Sequence, residues 1–187
     1  MGRIIIIEFI SLDGVVDDPD GEDGQEFGGW AFRHGPEAVA GDKFNMGELL
    51  DTCILVLGRV TWEKFSGFWP GREDEFSRKM NAMPKLVVSR SLDHASAWEN
   101  SGLLTGDLVD EIAKLKQTQD VVVTGSLSVV PVLRANDLID QYRLLVFPEV
   151  VGRGRRLFDD QHIDLKLKSV ETAGEAVRLI YDRTQVV

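Results

Sequence analysis

The chain has 187 residues, 31 of them acidic and 21 basic, which gives a formal net charge of −10 at pH 7. This length predicts one domain over residues 1–187. The excess of acid argues against a surface that binds nucleic-acid phosphates or anionic lipid. No apolar run approaches the roughly 20 residues of a membrane helix. The single cysteine, Cys53, excludes an intrachain disulfide and indicates a reducing, cytoplasmic compartment.

Buried strands alternate with helices through the first two thirds of the chain. Residues 3–10 form a nearly continuous β-branched run, which is typical of a central strand buried on both faces. A helix is predicted from Pro36 to about Leu50. Further strands are predicted at 53–57, 85–88 and 120–124, and further helices at 60–65, 107–116 and 127–133. This alternation predicts a parallel sheet with crossover helices.

The last third of the chain is rich in strands. Residues 139–147 and 165–171 alternate between apolar and polar side chains, and residues 176–183 complete a hairpin that turns near Gly174. These antiparallel strands extend the sheet at an edge, so the fold class is α/β with a mixed sheet. Residues 144–151 (LLVFPEVV) are more apolar than one solvated face requires. This run predicts an interface in a two-fold homodimer.

Small, hydroxyl and arginine residues follow three of the predicted strands. These strand ends read Gly58-Arg59-Val60-Thr61, Ser89-Arg90-Ser91 and Thr124-Gly125-Ser126. Ligands of open α/β sheets bind outside the carboxyl ends of strands, where helix N-termini and arginine side chains attract phosphate. The three segments together favour a phosphate-rich cofactor. The alternative is that glycine and serine only form the turns while the arginines pair with carboxylates.

Five motifs carry a resemblance to a known family. They are SLDG (11–14), LGRVTWEKF (57–65), PKLVVSRSL (84–92), VVVTGS (121–126) and FPEVVGRGRRLF (147–158). The sequence resembles the dihydrofolate reductase superfamily, most closely the branch related to the reductase domain of bacterial riboflavin biosynthesis. This resemblance implies a mixed, mostly parallel sheet of about eight strands flanked by helices. It also implies NADPH as cofactor, a small heterocyclic substrate and a homodimer.

The resemblance assigns roles to the three strand ends. Gly58, Arg59 and Thr61 would hold the phosphates of NADPH, and Ser89 and Arg90 would flank its 2′-phosphate. Within Thr124-Gly125-Ser126, the last two residues would lie under the pyrophosphate. The family has a second glycine where this chain has Ser126, and its glycine pair is joined by a cis peptide. We therefore expect the Gly125–Ser126 bond to be cis, or at least visibly strained.

Two carboxyl groups are candidates for the proton donor of a hydride-transfer reaction. A donor needs a pKa raised by desolvation in a partly apolar cleft. Asp13 lies in the SLDG loop, which in similar reductases borders the nicotinamide, although Asp-Gly is also a common turn pair. Asp42 lies sixteen residues before Gly58, similar to the spacing of the substrate-binding acid in dihydrofolate reductases, although a solvated helix face would explain it. Asp13 is the preferred candidate.

The leading hypothesis is an NADPH-dependent reductase of a pyrimidine-ribityl or pteridine-like substrate. The favoured reaction is reduction of 5-amino-6-(5-phosphoribosylamino)uracil, and the alternatives are dihydrofolate reduction or a nucleotide-binding module without turnover. The three histidines have no metal-ligand spacing, so no metal site is predicted. The arginine cluster Arg153, Arg155 and Arg156 either meets a substrate phosphate or pairs with surface carboxylates.

Overall fold

A computed structural model describes residues 1–40, 46–159 and 161–184 of the chain. Its strands form one mixed sheet. Its eight strands lie in the order β4-β3-β2-β5-β1-β6-β8-β7. The strands are β1 (Ile4–Ser11), β2 (Ile54–Gly58), β3 (Lys85–Val88), β4 (Ser101–Leu103), β5 (Val121–Thr124), β6 (Gln141–Phe147), β7 (Leu165–Ala173) and β8 (Ala176–Arg183). This architecture confirms the predicted fold class, with parallel strands first and antiparallel strands at the C-terminal end.

Five α-helices accompany the sheet in the described part of the chain. They are α1 (Gly35–Ala40), α2 (Arg59–Phe68), α3 (Glu75–Ala82), α4 (Leu108–Lys116) and α5 (Val130–Ala135). The N-cap residues Asp74 and Asp107 hold the starts of α3 and α4, since their carboxylates accept hydrogen bonds from backbone N–H groups of the first turn. In the same part of the chain, 3₁₀-helices lie at Phe32–His34 and Gly47–Asp51.

The first of two compact units contains residues 1–6 and 46–140. Strand β2 pairs in parallel with β3 on one side and β5 on the other, and β4 pairs in parallel with β3. Strands β2 and β5 are completely buried, as their apolar β-branched sequences predict. Because these strands run in the same direction, their carboxyl ends lie at one edge of the sheet.

The second unit contains residues 7–45 and 141–187. Strand β8 pairs antiparallel with both β6 and β7, and a bulge at Lys168 interrupts the β7 register between Leu167 and Ser169. A buried cluster joins aromatic rings, aliphatic side chains and alanines around Phe147, whose ring centroid lies 5.3 Å from that of Phe9 and 5.8 Å from that of Trp30.

The predicted helix from Pro36 to Leu50 is wrong at its C-terminal end. Among the described residues, helix α1 covers Gly35–Ala40 and a 3₁₀-helix covers Gly47–Asp51, while residues 41–45 of the predicted helix lie outside the described residues. Gly47 has a φ of +52°, which a continuous right-handed helix cannot contain. Helix α5 begins three residues later than predicted because residues 127–129 form a turn.

The apolar run at 144–151 does not form the exposed band that the sequence predicted. Leu144, Leu145 and Phe147 are buried within strand β6, and Phe147 belongs to the core of the second unit. In this run only Val150 is a largely exposed apolar side chain, with 72% of its surface accessible. The run is apolar because β6 is an internal strand of the sheet, buried on both faces.

Candidate cofactor site and acid loop

The three predicted strand ends lie side by side in the first unit. Strand β2 ends at Gly58, between β3, which ends at Val88, and β5, which ends at Thr124. The segments that follow these strands therefore start at the same edge of a parallel sheet. This is the position at which open α/β sheets bind nucleotides.

Ser126 joins the segment after β5 to the segment after β2. Its backbone N–H donates to Thr61 Oγ1 at 2.9 Å, and its Oγ accepts from the backbone N–H of Gly58 at 2.9 Å. The same hydroxyl donates to the carbonyl oxygen of Thr124 at 3.0 Å. The hydroxyl groups of Ser126 and Thr61 are thus engaged within the protein, where they fix the two segments to each other.

The Gly125–Ser126 peptide is trans, so the expectation of a cis bond at this position is wrong. The other half of that expectation is confirmed, because both residues lie in the left-handed region, with φ values of +57° for Gly125 and +59° for Ser126. A non-glycine residue rarely adopts this conformation, and its cost is typical of ligand sites. The three hydrogen bonds of Ser126 hold it there.

Gly125 is the tightest point of this segment, and its replacement by alanine should disturb the segment. A Cβ at this position would lie 3.1 Å from both Cγ2 and Oγ1 of Thr61, in a backbone conformation that disfavours L-residues. We expect Gly125→Ala to lower the free energy of unfolding by about 1–3 kcal/mol. Denaturant unfolding would measure it.

Gly67→Ala is the matched control for this prediction. Gly67 lies inside α2, and a Cβ there would meet no atom within 4 Å. Alanine has the higher helix propensity, so this change should be neutral or stabilising by up to about 1 kcal/mol. Equal stability of the two variants would contradict the proposed crowding at Gly125.

Helix α2 begins directly after β2 with an open N-terminus. Its N-cap residue is Gly58, and no side chain caps the first turn. The first N–H groups of a helix have no partner within the helix and attract anions. The Arg59 side chain lies on this turn and pairs with Glu63 at 2.7 Å, with both side chains 43% exposed. An exposed pair of this kind is weak, so the guanidinium can exchange Glu63 for a phosphate.

The segment after β3 presents Arg90 to solvent. The Ser89 hydroxyl accepts hydrogen bonds from the backbone N–H groups of Ser91 at 3.1 Å and Leu92 at 3.0 Å, which shapes a tight turn around Arg90. Arg90 is exposed, and across residues 1–40, 46–159 and 161–184 its guanidinium has no carboxylate partner. An unpaired arginine in a chain of net charge −10 is a candidate anion ligand.

Asp13, in the second unit, forms the centre of a hydrogen-bonded loop. Its Oδ1 accepts from Ser11 Oγ at 2.7 Å and from the backbone N–H of Val151 at 3.0 Å, and its Oδ2 accepts from the backbone N–H of Gly152 at 2.8 Å. The hydrogen bond from Ser11, with those from the two backbone groups, lowers the pKa of Asp13 to about 2. This direction is opposite to the raised pKa that a proton donor requires.

The arginine cluster pairs with acids of the loop that follows β1. Arg153 lies 2.9 Å from Glu26, Arg155 lies 2.6 Å from Asp17 and Arg156 lies 3.6 Å from Asp13, each measured between side-chain nitrogen and oxygen. Of the two interpretations made from the sequence, pairing with carboxylates is therefore the one observed. A substrate phosphate would have to compete with these acids for the same arginines.

The described residues include neither Asp42 nor a metal or membrane-spanning feature. Asp42 falls outside the described residues. No cluster of three or more histidine, cysteine, aspartate or glutamate side chains suited to a metal ion occurs in the part of the chain that the structure describes. None of the helices described there has both the length and the apolar character that a membrane span needs.

Comparison with known proteins identifies the family. The family model described as the RibD C-terminal domain matches residues 3–179. The chain belongs to the RibD C-terminal domain family. The uncharacterized protein YyaP of Bacillus subtilis strain 168 is 27% identical to it over 190 residues, covering 96% of this chain and 94% of YyaP.

Solved structures show the same fold as this RibD C-terminal domain. A Shewanella sp. PV-4 protein named for riboflavin biosynthesis has a TM-score of 0.71 at 22% identity, over 99% of this chain and 100% of that one. A pyrimidine reductase-like protein of Corynebacterium diphtheriae has a TM-score of 0.63 at 12% identity, over 99% and 93%. At these identities the likeness establishes the fold alone.

The partners of Asp13 in this RibD C-terminal domain could not be predicted from its sequence. The SLDG motif contains both Ser11 and Asp13, and Val151 and Gly152 belong to the later VVGRG stretch. The two motifs were noted separately, but nothing in the sequence indicated that one binds the other across about 138 residues of chain. The one sign of a contact was that the SLDG and VVGRG motifs both contain small residues and neither had a predicted partner in the chain.

Proposed function

We propose that this chain is an NADPH-dependent reductase of a small heterocyclic substrate. The favoured reaction is of the type that reduces 5-amino-6-(5-phosphoribosylamino)uracil. Membership of the RibD C-terminal domain family supports a reductase of the riboflavin pathway, as do structural relatives named for riboflavin biosynthesis and for pyrimidine reduction. The observation that carries the proposal is Arg90, which is exposed, has no carboxylate partner among the described residues and lies at the edge where three parallel strands end.

The residues at this edge fit a dinucleotide phosphate. Gly125 lies so close to Thr61 that a Cβ would crowd it, so glycine lets the segment after β5 approach the first turn of α2. The uncapped N-terminus of α2 offers N–H donors to a pyrophosphate. Arg59 and Arg90 would hold phosphate oxygens, and Arg90 would take the 2′-phosphate that distinguishes NADPH from NADH.

When bound, the nicotinamide would supply the hydride. The chain would bind and orient the cofactor through the phosphate contacts above, and such positioning accelerates a reaction without protein redox chemistry. In our proposal Ser126 and Thr61 act as positioning residues, because their hydroxyl groups fix the two phosphate-facing segments. Asp13 keeps its charge and shapes the loop at residues 11–14 by binding Val151 and Gly152.

A nucleotide-binding module without turnover is the second candidate. The observation that favours it is the lowered pKa of Asp13, because a proton donor at neutral pH needs a raised pKa. Both candidate functions include NADPH binding, and they differ in whether the bound NADPH reduces a substrate. Consumption of NADPH in the presence of a substrate therefore distinguishes them.

Replacing Arg90 with alanine should remove the preference for NADPH. A charge-assisted hydrogen bond contributes about 1.5–3 kcal/mol, which corresponds to roughly a 10- to 100-fold weaker affinity for NADPH. The affinity for NADH should stay nearly unchanged, because NADH lacks the 2′-phosphate. Calorimetric titration of both nucleotides would measure the effect.

Arg78→Ala is the matched control for this arginine. Arg78 lies on α3, and its guanidinium donates to the backbone carbonyl of Glu73 at 2.7 Å. Its loss should leave the affinities for both nucleotides unchanged. A loss of affinity in Arg90→Ala that is equal for NADPH and NADH would contradict the assignment of Arg90 to the 2′-phosphate.

The proposed reaction is tested by following NADPH absorbance with three substrate classes. These are a ribosylaminouracil phosphate, dihydrofolate and small carbonyl compounds. Faster oxidation with the uracil than with dihydrofolate would support the favoured reaction. Faster oxidation with dihydrofolate would support the alternative reductase, and tight NADPH binding without oxidation in any of the three would support the binding module.

A further inference from the structure

His34 lies between two carboxylates of the second unit. It is the last residue of the 3₁₀-helix Phe32–His34, and its side chain is only 12% exposed. Its Nδ1 lies 2.7 Å from Oε2 of Glu175, and its Nε2 lies 3.2 Å from Oε1 of Glu149. An ionised carboxylate only accepts hydrogen bonds, so a bond to either oxygen requires the ring nitrogen to donate.

Both ring nitrogens of His34 therefore meet acceptors. Neutral imidazole has one N–H and a lone pair on its other nitrogen, whereas imidazolium donates from both nitrogens. The distance between Nδ1 and Glu175 is that of a charge-assisted hydrogen bond. In the described part of the chain, the charged groups that contact the ring are Glu149 and Glu175, and both are acidic. The surroundings of His34 thus match the hydrogen-bonding pattern of imidazolium.

Through these contacts His34 connects three segments of the second unit. Glu149 follows strand β6, and Glu175 lies in the turn between β7 and β8. The segment before His34 is fixed in the core, because Trp30 is completely buried. The imidazole ring also packs against Phe147, with 5.8 Å between the ring centroids. One side chain thus connects the end of β6 and the turn after β7 to a buried segment.

Glu149 extends this connection to the loop that contains Asp13. The backbone carbonyl of Glu149 accepts a hydrogen bond from the N–H of Leu12 at 2.8 Å. Two and three residues further along the chain, the N–H groups of Val151 and Gly152 donate to the Asp13 carboxylate. A shift of Glu149 would therefore move one acceptor of the loop and, through the same short segment, two of its donors.

We propose that His34 is a positioning residue that donates to Glu149 and Glu175 and thereby fixes the loop at residues 11–14. Asp13 holds the segment after β6 from one side and His34 holds it from the other, so the loss of either should loosen the loop. The effect of this loop on turnover rests on the proposed function, whereas the hydrogen bonds that fix the loop do not.

Hydrogen exchange of backbone amides, followed by NMR, tests this role without substrate or cofactor. In His34→Ala, the three N–H groups that join the loop to the segment after β6 should exchange at least about tenfold faster than in the wild type. They belong to Leu12, Val151 and Gly152. His162→Ala removes a histidine whose side chain is 88% exposed, and this control should leave the three rates unchanged. Unchanged rates in His34→Ala would overturn the proposal.

Two small ring compounds separate hydrogen bonding from packing in the same variant. Imidazole matches the ring that His34→Ala removes and can donate from both nitrogens, so millimolar imidazole should restore slow exchange. Pyrrole has a ring of the same size but a single N–H, and it should not restore slow exchange. Equal rescue by pyrrole would overturn the proposal, because packing against Phe147 would then be sufficient.

Glu149→Ala keeps the ring of His34 and its contact with Phe147, so it tests the proposal even if His34→Ala does not fold. This change removes the acceptor at Nε2 and should accelerate exchange of the same three amides at least about tenfold. Glu171→Ala is the control, because this acid pairs with Arg178 across β7 and β8. Slow exchange of the three amides in Glu149→Ala would overturn the proposal.

Turnover tests the link between this loop and the proposed reaction. His34→Ala should lower kcat at least about tenfold and leave the Kd for NADPH unchanged, since the proposed phosphate contacts lie in the first unit. Imidazole should restore kcat as it restores slow exchange. If the wild type oxidises no NADPH with any substrate, the proposed function fails, and the exchange rates decide the role of His34. Faster exchange with an unchanged kcat would overturn the positioning role.

Discussion

Replacing Lys85 with alanine is expected to lower the free energy of unfolding by about 3–5 kcal/mol. Lys85 begins strand β3 and is only 2% exposed. Its Nζ donates to three backbone carbonyls, those of Asn81 and Met83 at 2.8 Å and of Glu99 at 3.1 Å. The same ammonium lies 4.3 Å from the centroid of the Trp98 ring. Without it, one buried and two partly buried carbonyls lose a charged donor, and the end of α3 loses its connection to the chain before β4.

Lys79→Ala provides the comparison on the surface. Lys79 pairs with Asp51 at 2.8 Å, with the two side chains 36% and 57% exposed. Its replacement should destabilise the chain far less than that of Lys85, because exposed ion pairs contribute little to stability. Chemical denaturation of both variants would measure the difference. A cost for Lys85→Ala as small as that for Lys79→Ala would show that water replaces the ammonium at the three carbonyls.

Burial also makes the contribution of Lys85 to the stability of the fold depend on pH. Desolvation lowers its pKa from 10.5 to about 8, against an opposing attraction from Glu99. Between these values the unfolded chain binds the proton and the folded chain does not. The contribution of Lys85 to stability should therefore rise with pH from about 8 to 10.5. The difference between wild type and Lys85→Met, measured across this range, isolates the effect from other groups.

Replacing Asp13 with asparagine should lower the free energy of unfolding by about 2–3 kcal/mol. The carboxylate accepts hydrogen bonds from Ser11, Val151 and Gly152, and the amide nitrogen of asparagine cannot accept any. The ordinary pKa of 3.8 falls to about 2 in the folded chain. The stabilisation is thus fully present above about pH 4 and is lost as the pH falls through 2, a dependence that Asp13→Asn should lack.

The same variant decides between two roles of Asp13 in catalysis. If Asp13 only shapes its loop, Asp13→Asn should raise KM and leave the form of the kcat–pH profile unchanged. If it donates the proton, kcat should fall by at least about 100-fold and the profile should lose a limb. Ser11→Ala is the companion variant, since it removes the largest cause of the low pKa and should raise the pKa of Asp13 while keeping the carboxyl.

The elements that the sequence predicted well are those with a strong local pattern. The isoleucine run Ile4–Ile7 of β1 and the valine run Val121–Val123 of β5 are uninterrupted, and such runs predict a buried strand without long-range information. Helix α3 and strand β4 were missed. The polar sequence of α3 (EFSRKMNA) buries few side chains, and β4 has three residues, one of them glycine. Their structure depends on packing rather than on periodicity.

In the candidate site, too, some features could be predicted from local sequence and others depend on distant contacts. The positions of Gly58, Arg90 and Gly125 followed from the rule that strand ends carry ligands, and the parallel registers of β2 confirm that these strand ends are neighbours. The state of Asp13 could be predicted only in part, because its pKa is lowered first by Ser11, two residues away, and then by backbone groups more than 130 residues away. The trans bond before Ser126 depends on a hydroxyl group that bridges two segments, which local sequence does not show.

The bulge at Lys168 has a consequence for how the chain tolerates deletion. Leu167 and Val170 share a face although they are three positions apart, because the bulge adds one residue to β7. Removal of Lys168 would leave a regular strand with every other side chain on its present face. The folded monomer should therefore accept the deletion. The deletion would also remove the irregularity that keeps a long edge strand from pairing with other chains. We therefore expect the deletion variant to aggregate on storage before it loses its fold.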